Sequence, residues 1–289
     1  MADKAADKKK QKTSKSRLDL ASVLGLVLAL GGILGGLLLE GGNVKDVAQI
    51  TAAMIVLGGT LGAVMVTTPP ALLLGAARKI SQVFVEKSQS SDGVIEEIIS
   101  YATKARKGGI VSLEQEVDDI QDPFLKKALT LAVDGTDLKD LRRMMELEVT
   151  LEEQRGEAEA KVYEAAGGYS PTIGIIGAVL GLIQVMKHLE NIEEVGKGIA
   201  VAFVATVYGV GVANIFFLPA GNKLKARTHE SVRTKELILE GVAGIVEGLN
   251  PKLIRSKLEA YTRQEAQAKP AKQKDKKAAA VPGTAAAKG

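Results

Sequence analysis

The chain has 289 residues, 46% hydrophobic and 25% charged, with a net charge of +4, and a positive mean hydropathy requires the two classes to be segregated along it. Aromatics at 3% with no tryptophan exclude an aromatic-caged binding module or a base-stacking nucleic-acid domain, and the absence of cysteine excludes disulfides and thiolate metal sites. The excess charge is carried largely by the tails, so it reads as membrane topology and not as affinity for nucleic acid.

Seven basic residues, Lys4, Lys8, Lys9, Lys10, Lys12, Lys15 and Arg17, precede the first apolar run. A bilayer core takes roughly 20 apolar helical residues, and four uncharged runs have that length: 20–39, 47–77, 165–186 and 198–222. The first has a leader-like basic flank, but a second run follows it and Glu40-Gly41-Gly42 stands where a cleavage site would be, so it is predicted to span. By the positive-inside rule the N-terminus is cytoplasmic. Arg78 and Lys79 after the second run, and Lys223, Lys225 and Arg227 after the fourth, then fall on the same side. The short acidic connections 40–46 and 187–197 are periplasmic turns, and both termini are cytoplasmic. The fold class is therefore all-α: four transmembrane helices with a helical cytoplasmic domain between the second and third. Residues 1–15 and the tail from about Gln264 lack apolar periodicity and are expected to have no fixed structure. The basic N-terminus is an orientation signal or a contact for anionic lipid.

Asp92 is predicted to cap a helix to Arg106, with Val94, Ile95, Ile98, Ile99 and Ala102 on one face, ended by Gly108-Gly109. Ser112 and Gln115 have capping-box spacing for a short helix through Glu116 and Asp119. Asp122-Pro123 opens another helix that Gly135 stops. From Asp137 the pattern stays helical to Ala166 and runs into the third span.

No Walker loop, H-E-x-x-H or nucleophile elbow is present, so the chain is not read as an enzyme. Spans two to four carry no Asp, Glu, Lys, Arg or His. Asp19, beside Arg17 at the membrane edge, is read as a snorkelling surface charge. If ions cross here, another polypeptide must supply the carboxylate. Gly174, Gly177 and Gly181 in span three, and Ala205, Gly209 and Ala213 in span four, let a backbone approach closely. Either they pack helices within one chain, or they make an inner ring that faces something slender. The hydroxyl of Thr206 can touch a passing ion or carboxylate, or bond back to its own helix. Pro171 starts span three proper or creates a hinge, Pro219 ends span four, and Pro69-Pro70 breaks span two.

Pro171 followed by T-I-G-I-I-G-A-V-L-G-L-I, A-F-V-A-T-V-Y-G at 202–209 with Pro219 ten positions on, and A-R-K-G-G-I-V-S-L-E at 105–114 resemble the MotA family of flagellar stator subunits over residues 18–261. Gly211 departs from the larger apolar residue expected after that span-four signature. The resemblance implies a homo-oligomeric ring, a pentamer, in the bilayer of the bacterial inner membrane. The ring surrounds a B-type subunit whose single membrane helix carries an essential aspartate, and it pushes a flagellar rotor switch protein. Arg106 and Glu114 match the family's charged rotor contacts, with Lys107 and Glu116 as neighbours. Pro171 and Pro219 match the prolines linked to the response to ion binding. Sodium-driven relatives carry threonine where this chain has Ala178 and Ala205, and Thr206 alone remains of the hydroxyl set, so the coupling ion is expected to be a proton and no other cofactor is implied.

On this reading residues 1–17 form the basic arm, 18–77 the first two spans, 78–164 the rotor-contacting domain and 165–222 the ion path. Residues 223–263 form a cytoplasmic C-terminal helix and 264–289 the tail. The alternatives are a TolQ or ExbB-like energiser of a periplasmic partner, whose implied three-span, outside-N-terminus pattern differs from this one, and a membrane scaffold that conducts nothing. A secondary transporter is disfavoured by spans nearly bare of polar groups.

Overall fold

A computed structural model describes residues 17–86 and 91–268. Nearly all are helical, and the extended exception is a two-residue antiparallel pairing of β1 (Arg17–Leu18) with β2 (Val85–Glu86). The expectations for residues 1–15, and for most of the tail, lie outside the described residues. Two compact units form: Met1–Gln89 with Met144–Thr234, and Ser90–Arg143 with Lys235–Gly289.

In the first unit, α1 (Leu20–Leu39) begins where the Asp19 carboxylate accepts the Ser22 N–H at 3.2 Å, and its chain reverses at Gly41, φ +83°. It is apolar all round and none of its residues is buried, the pattern of a helix solvated by lipid or by neighbouring helices. After the Asn43-capped turn α2 (Val44–Val47), α3 (Ile50–Thr67) contains a π turn at Met54–Gly58 that periodicity gave no hint of. Thr68 is extended and Pro70 opens α4 (Pro70–Lys79), so the proline pair does break the second span. A short α5 (Ser81–Phe84) follows.

The long helix α9 (Leu138–Lys187) and helix α10 (Ile192–Val246) carry the other two apolar runs, completing, among the described residues, four helices long and apolar enough to cross a membrane. Two expectations about proline are corrected here. α9 runs unbroken through Pro171, which neither starts it nor interrupts it. α10 does not end at Pro219: a π turn at Ala213–Phe217, closed by the Leu218 N–H on the Ala213 carbonyl, comes immediately before the proline, and the helix continues to Val246. A π turn displaces the ladder locally, which accommodates a residue that cannot donate. The supposed C-terminal helix 223–263 is accordingly two helices, the end of α10 and α11 (Pro251–Ala268), separated by Gly248 at φ +70°. The latter outlasts the expected start of the disordered tail.

Four of the cations at the ends of the apolar runs, Lys79, Lys223, Lys225 and Arg227, are paired within the chain. Lys79 lies 2.7 Å from Glu159, which also accepts from Arg155 at 3.2 Å, and Lys225 lies 2.6 Å from Glu164. Asp19 pairs with both Lys223 and Arg227, the latter at 3.0 Å, and is only 7% exposed. It is therefore a buried clasp between the start of α1 and α10, not the snorkelling surface charge expected from sequence. The hydrogen bond from Lys223 holds its carboxyl below the usual carboxylate range against the opposing effect of burial.

In the second unit, α6 (Ser91–Gly108) buries Val94, Ile95, Ile98 and Ala102, and Gly109 at φ +77° ends it. Asp92 sits in the first turn, one position inside the helix it was expected to cap. No capping box forms at Ser112, whose hydroxyl donates to the Gly109 carbonyl at 2.6 Å; a 3-10 turn (Ile110–Leu113) and α7 (Glu114–Val117) follow. α8 (Pro123–Val133) starts as expected, with the Asp122 carboxylate accepting from Phe124 and Leu125, both at 2.9 Å, and Gly135 stops it. Arg255 of α11 forks onto Glu96 of α6 at 2.5 and 2.8 Å, and Glu240 accepts from Arg142 at 2.7 Å and pairs with Lys257 at 2.5 Å.

Candidate functional site

The seam between α9 and α10 is built from missing side chains. A Cβ on Gly174 would stand 2.9 Å from the Ala205 carbonyl oxygen, one on Gly209 2.7 Å from the Ser170 carbonyl oxygen, and one on Gly181 2.8 Å from both the Ala202 N and the Gly198 carbonyl oxygen. A Cβ on Gly177 would stand 2.7 Å from the Ala205 methyl. These glycines are thus close-packing positions between the two helices of one chain, the first of the two sequence readings. Lys, Arg or even Ala at such positions would separate the backbones, because tight helix contact in lipid rests on small residues.

Ala205 is wholly buried, in a cluster with Ala52 and Val56 of α3 and Val204. Within the chain its methyl packs between α10 and α3. Thr206, next to it, is half-buried and its hydroxyl donates to the Ala202 carbonyl at 3.2 Å, leaving its lone pairs free to accept. Ala178 is half-buried on α9, between exposed Val179 and buried Gly177. Pro171 is half-buried and Pro219 exposed.

Tyr208 was quoted in the sequence signature but given no role, and the structure supplies one. Its hydroxyl donates to the Val47 carbonyl at 2.6 Å and accepts the Gln49 N–H at 3.4 Å, satisfying backbone groups at the break between α2 and α3. Among apolar spans such groups need an internal partner. Glu159 likewise carries no signal in the sequence, because its partner Lys79 is distant along the chain.

On the second unit Arg106, Lys107 and Glu114 flank the Gly109 turn, all exposed and, among the described residues, without an ion partner. Glu116 differs: it is half-buried and paired with Lys104 at 2.6 Å. The structure therefore places three of the four expected contact charges together and available, and the fourth in an internal pair.

Residues 23–108 match the model of the motility protein A N-terminal region, and residues 116–237 match the MotA/TolQ/ExbB proton channel family. The motility protein A of Helicobacter pylori is 36% identical over 84% of this chain and 95% of its own length. The chain belongs to the MotA family. Solved structures agree: C. jejuni MotAB is matched at TM-score 0.81 and 34% identity over 84% of this chain and 96% of that one, and the Bacillus subtilis flagellar MotAB stator complex at 0.77 and 34% over 87% and 99%. The likeness covers both the glycine-seamed helices and the charged turn, and it marks this MotA-family chain as a flagellar stator subunit and a membrane protein.

Proposed function

We propose that this chain is the channel-forming A subunit of a stator that, with a B-type partner, lets protons flow through the bacterial inner membrane and converts that flow into torque on the rotor. The observation that carries the proposal is the combination of MotAB likeness along nearly the whole chain with spans two to four that hold no Asp, Glu, Lys, Arg or His. A proton path in lipid needs an ionisable group, so the partner's single membrane helix supplies the aspartate, and a ring of five copies of this chain supplies the wall. Both termini lie in the cytoplasm. Protonation of that aspartate shifts the ring between two packings of similar stability. One charge crossing 100 mV provides about 2.3 kcal/mol, enough to bias such a switch. Arg106, Lys107 and Glu114 meet the flagellar rotor switch protein, where weak exposed pairs suit contacts that are made and broken at each step. With Thr206 the one hydroxyl at the expected positions, the path suits a proton and offers a sodium ion few oxygens.

The test is proton uptake by vesicles containing this chain, the partner, or both. Uptake is expected only with both, and should vanish when the partner's membrane aspartate becomes asparagine. Conduction by this chain alone, or a pair that is silent to protons but passes sodium, would refute the reading.

A further inference from the structure

Both ring nitrogens of His188, in the turn between α9 and α10, face hydrogen-bond acceptors. Nδ1 lies 3.0 Å from the Gln184 carbonyl oxygen in the last turn of α9, and Nε2 lies 3.2 Å from the Glu194 carboxylate in the first turn of α10. A neutral imidazole carries one N–H, so it can satisfy one of these acceptors while its remaining lone pair points at the other. The imidazolium, with two N–H groups, satisfies both at once. The turn also closes one end of the glycine seam: the His188 N–H donates to the Val185 carbonyl at 3.1 Å, and a Cβ on Gly198 would stand 2.7 Å from the Val185 side chain.

The surroundings suit the same pair of charges. A helix C-terminus stabilises a cation and a helix N-terminus an anion, and the ring sits at the end of α9 while the carboxylate sits at the start of α10. Asn191 caps α10, its Oδ1 accepting the Glu193 and Glu194 N–H groups at 3.1 and 3.4 Å, which fixes Glu194 in that first turn. Glu193 is engaged by Lys197 at 2.8 Å. Lys187 and Glu190 flank the ring in sequence with opposite signs. Among the described residues no ion pair joins this turn to Glu40, Lys45 or Asp46 of the other short connection, so the pair of His188 with Glu194 is the one that ties α9 to α10 at this end.

We infer that His188 and Glu194 form a proton-operated fastener at the mouth of the α9 and α10 hairpin, closed while the ring is protonated and released when it is neutral. Histidine is the side chain whose charge ordinarily changes between about pH 5 and 8, so the fastener holds in acid and lets go as pH rises. Both side chains are 46% exposed, and an ion pair this open to solvent is weak, which suits a contact that opens and closes in place of a permanent brace. That the turn faces the periplasm, the side from which protons enter, rests on the proposed topology. On that reading the hairpin is tightened from outside by the ion that the stator consumes.

The experiment follows amide hydrogen exchange in the full chain with its partner in lipid nanodiscs at pH 5.5 and 8.5, corrected for the intrinsic pH dependence of exchange. The reporters are the Asn191 and Val195 amides, which donate to the His188 and Asn191 carbonyls at 3.0 Å each. They should exchange about two- to fivefold faster at pH 8.5, the size of effect that an exposed ion pair gives. His188→Gln and Glu194→Gln should each remove that difference. His229→Gln, which alters the chain's other histidine and its contact with Glu153, should keep it. Equal exchange at the two pH values in the unaltered chain, or a difference that survives both His188→Gln and Glu194→Gln, overturns the fastener. Should one of these two variants fail to accumulate, the other decides. The side is tested separately with Gly196→Cys, an exposed position in a chain that has no cysteine of its own. Labelling in intact spheroplasts by a membrane-impermeant maleimide supports the outward placement, and labelling only after lysis overturns the topology while leaving the fastener.

Discussion

Gly167 of α9 packs against Leu218 of α10 so closely that a Cβ on the glycine would fall 2.5 Å from the leucine Cδ2. Gly167 is also four residues before Pro171, so its carbonyl lacks the helical N–H that any other residue at 171 would supply. Leu218 closes the π turn and precedes Pro219. The gap that Pro171 leaves in the hydrogen-bond ladder of α9 and the π turn of α10 therefore lie side by side, and a shift in one is felt by the other.

Replacing Pro171 with alanine restores that N–H and removes a residue that costs about 3 kcal/mol in a regular helix interior. The purified complex should unfold at the same or a higher temperature, yet swimming should fall at least tenfold. Wild-type swimming by Pro171→Ala would show that this gap in the ladder has no part in the working cycle.

The seam predicts a contrast among glycines. Gly181→Ala and Gly209→Ala each place a methyl within 2.8 Å of backbone on the facing helix, and overpacking of this kind costs about 1–3 kcal/mol. At Gly211 nothing stands within 4 Å of an added Cβ, so Gly211→Ala should be neutral or gain up to about 1 kcal/mol from helix propensity. Thermal unfolding in detergent orders the three variants.

The Asp19 clasp predicts acid sensitivity. A carboxyl held below its ordinary range contributes stability that is fully present above the unfolded-state pKa, about 4, and is lost as pH falls through the lower folded value. Asp19→Asn should flatten the loss of thermal stability on acidification. At pH 7 it should cost about 3 kcal/mol, because Arg227 and Lys223 lose the carboxylate between them.

The exposed turn predicts the opposite separation. Arg106→Glu and Glu114→Lys should leave unfolding temperature and proton uptake unchanged, since neither residue has an ion partner to lose within the described chain, and each should abolish swimming. A compensating charge reversal on the rotor should restore it.

Tyr208→Phe removes the hydroxyl that bonds the half-buried Val47 carbonyl and Gln49 N–H, which still reach each other at 3.2 Å, so the cost should be about 0.5–1.5 kcal/mol, that of an ordinary hydrogen bond. The same thermal assay measures it.

What the sequence discloses here is what is local. Apolar run length locates all four spans, Asp122-Pro123 and Gly135 bracket α8, and the unbroken charge spacing after Asp137 foretells the length of α9. The π turns at Met54–Gly58 and Ala213–Phe217 leave no such trace, because one shifted hydrogen bond hardly disturbs an apolar pattern that is continuous anyway. That is why Pro219 reads as an end when the helix passes straight through it. The partner of the glycines is equally hidden: GxxxG spacing announces a close approach and says nothing of which backbone approaches. Asp19 is misread for the same reason, its guanidinium partner lying 208 positions away.

The pairing of the boundary cations has a further consequence for biogenesis. Lys79 is synthesised long before Glu159, so in the nascent chain it is a positive charge whose partner does not yet exist, of the kind that the positive-inside rule weighs. Once the two meet, that charge is offset in the mature fold. The same residues thus stand first as unopposed charge in the nascent chain and later as cross-braces between folded helices. A mutation there can spare orientation while loosening the frame, or the reverse.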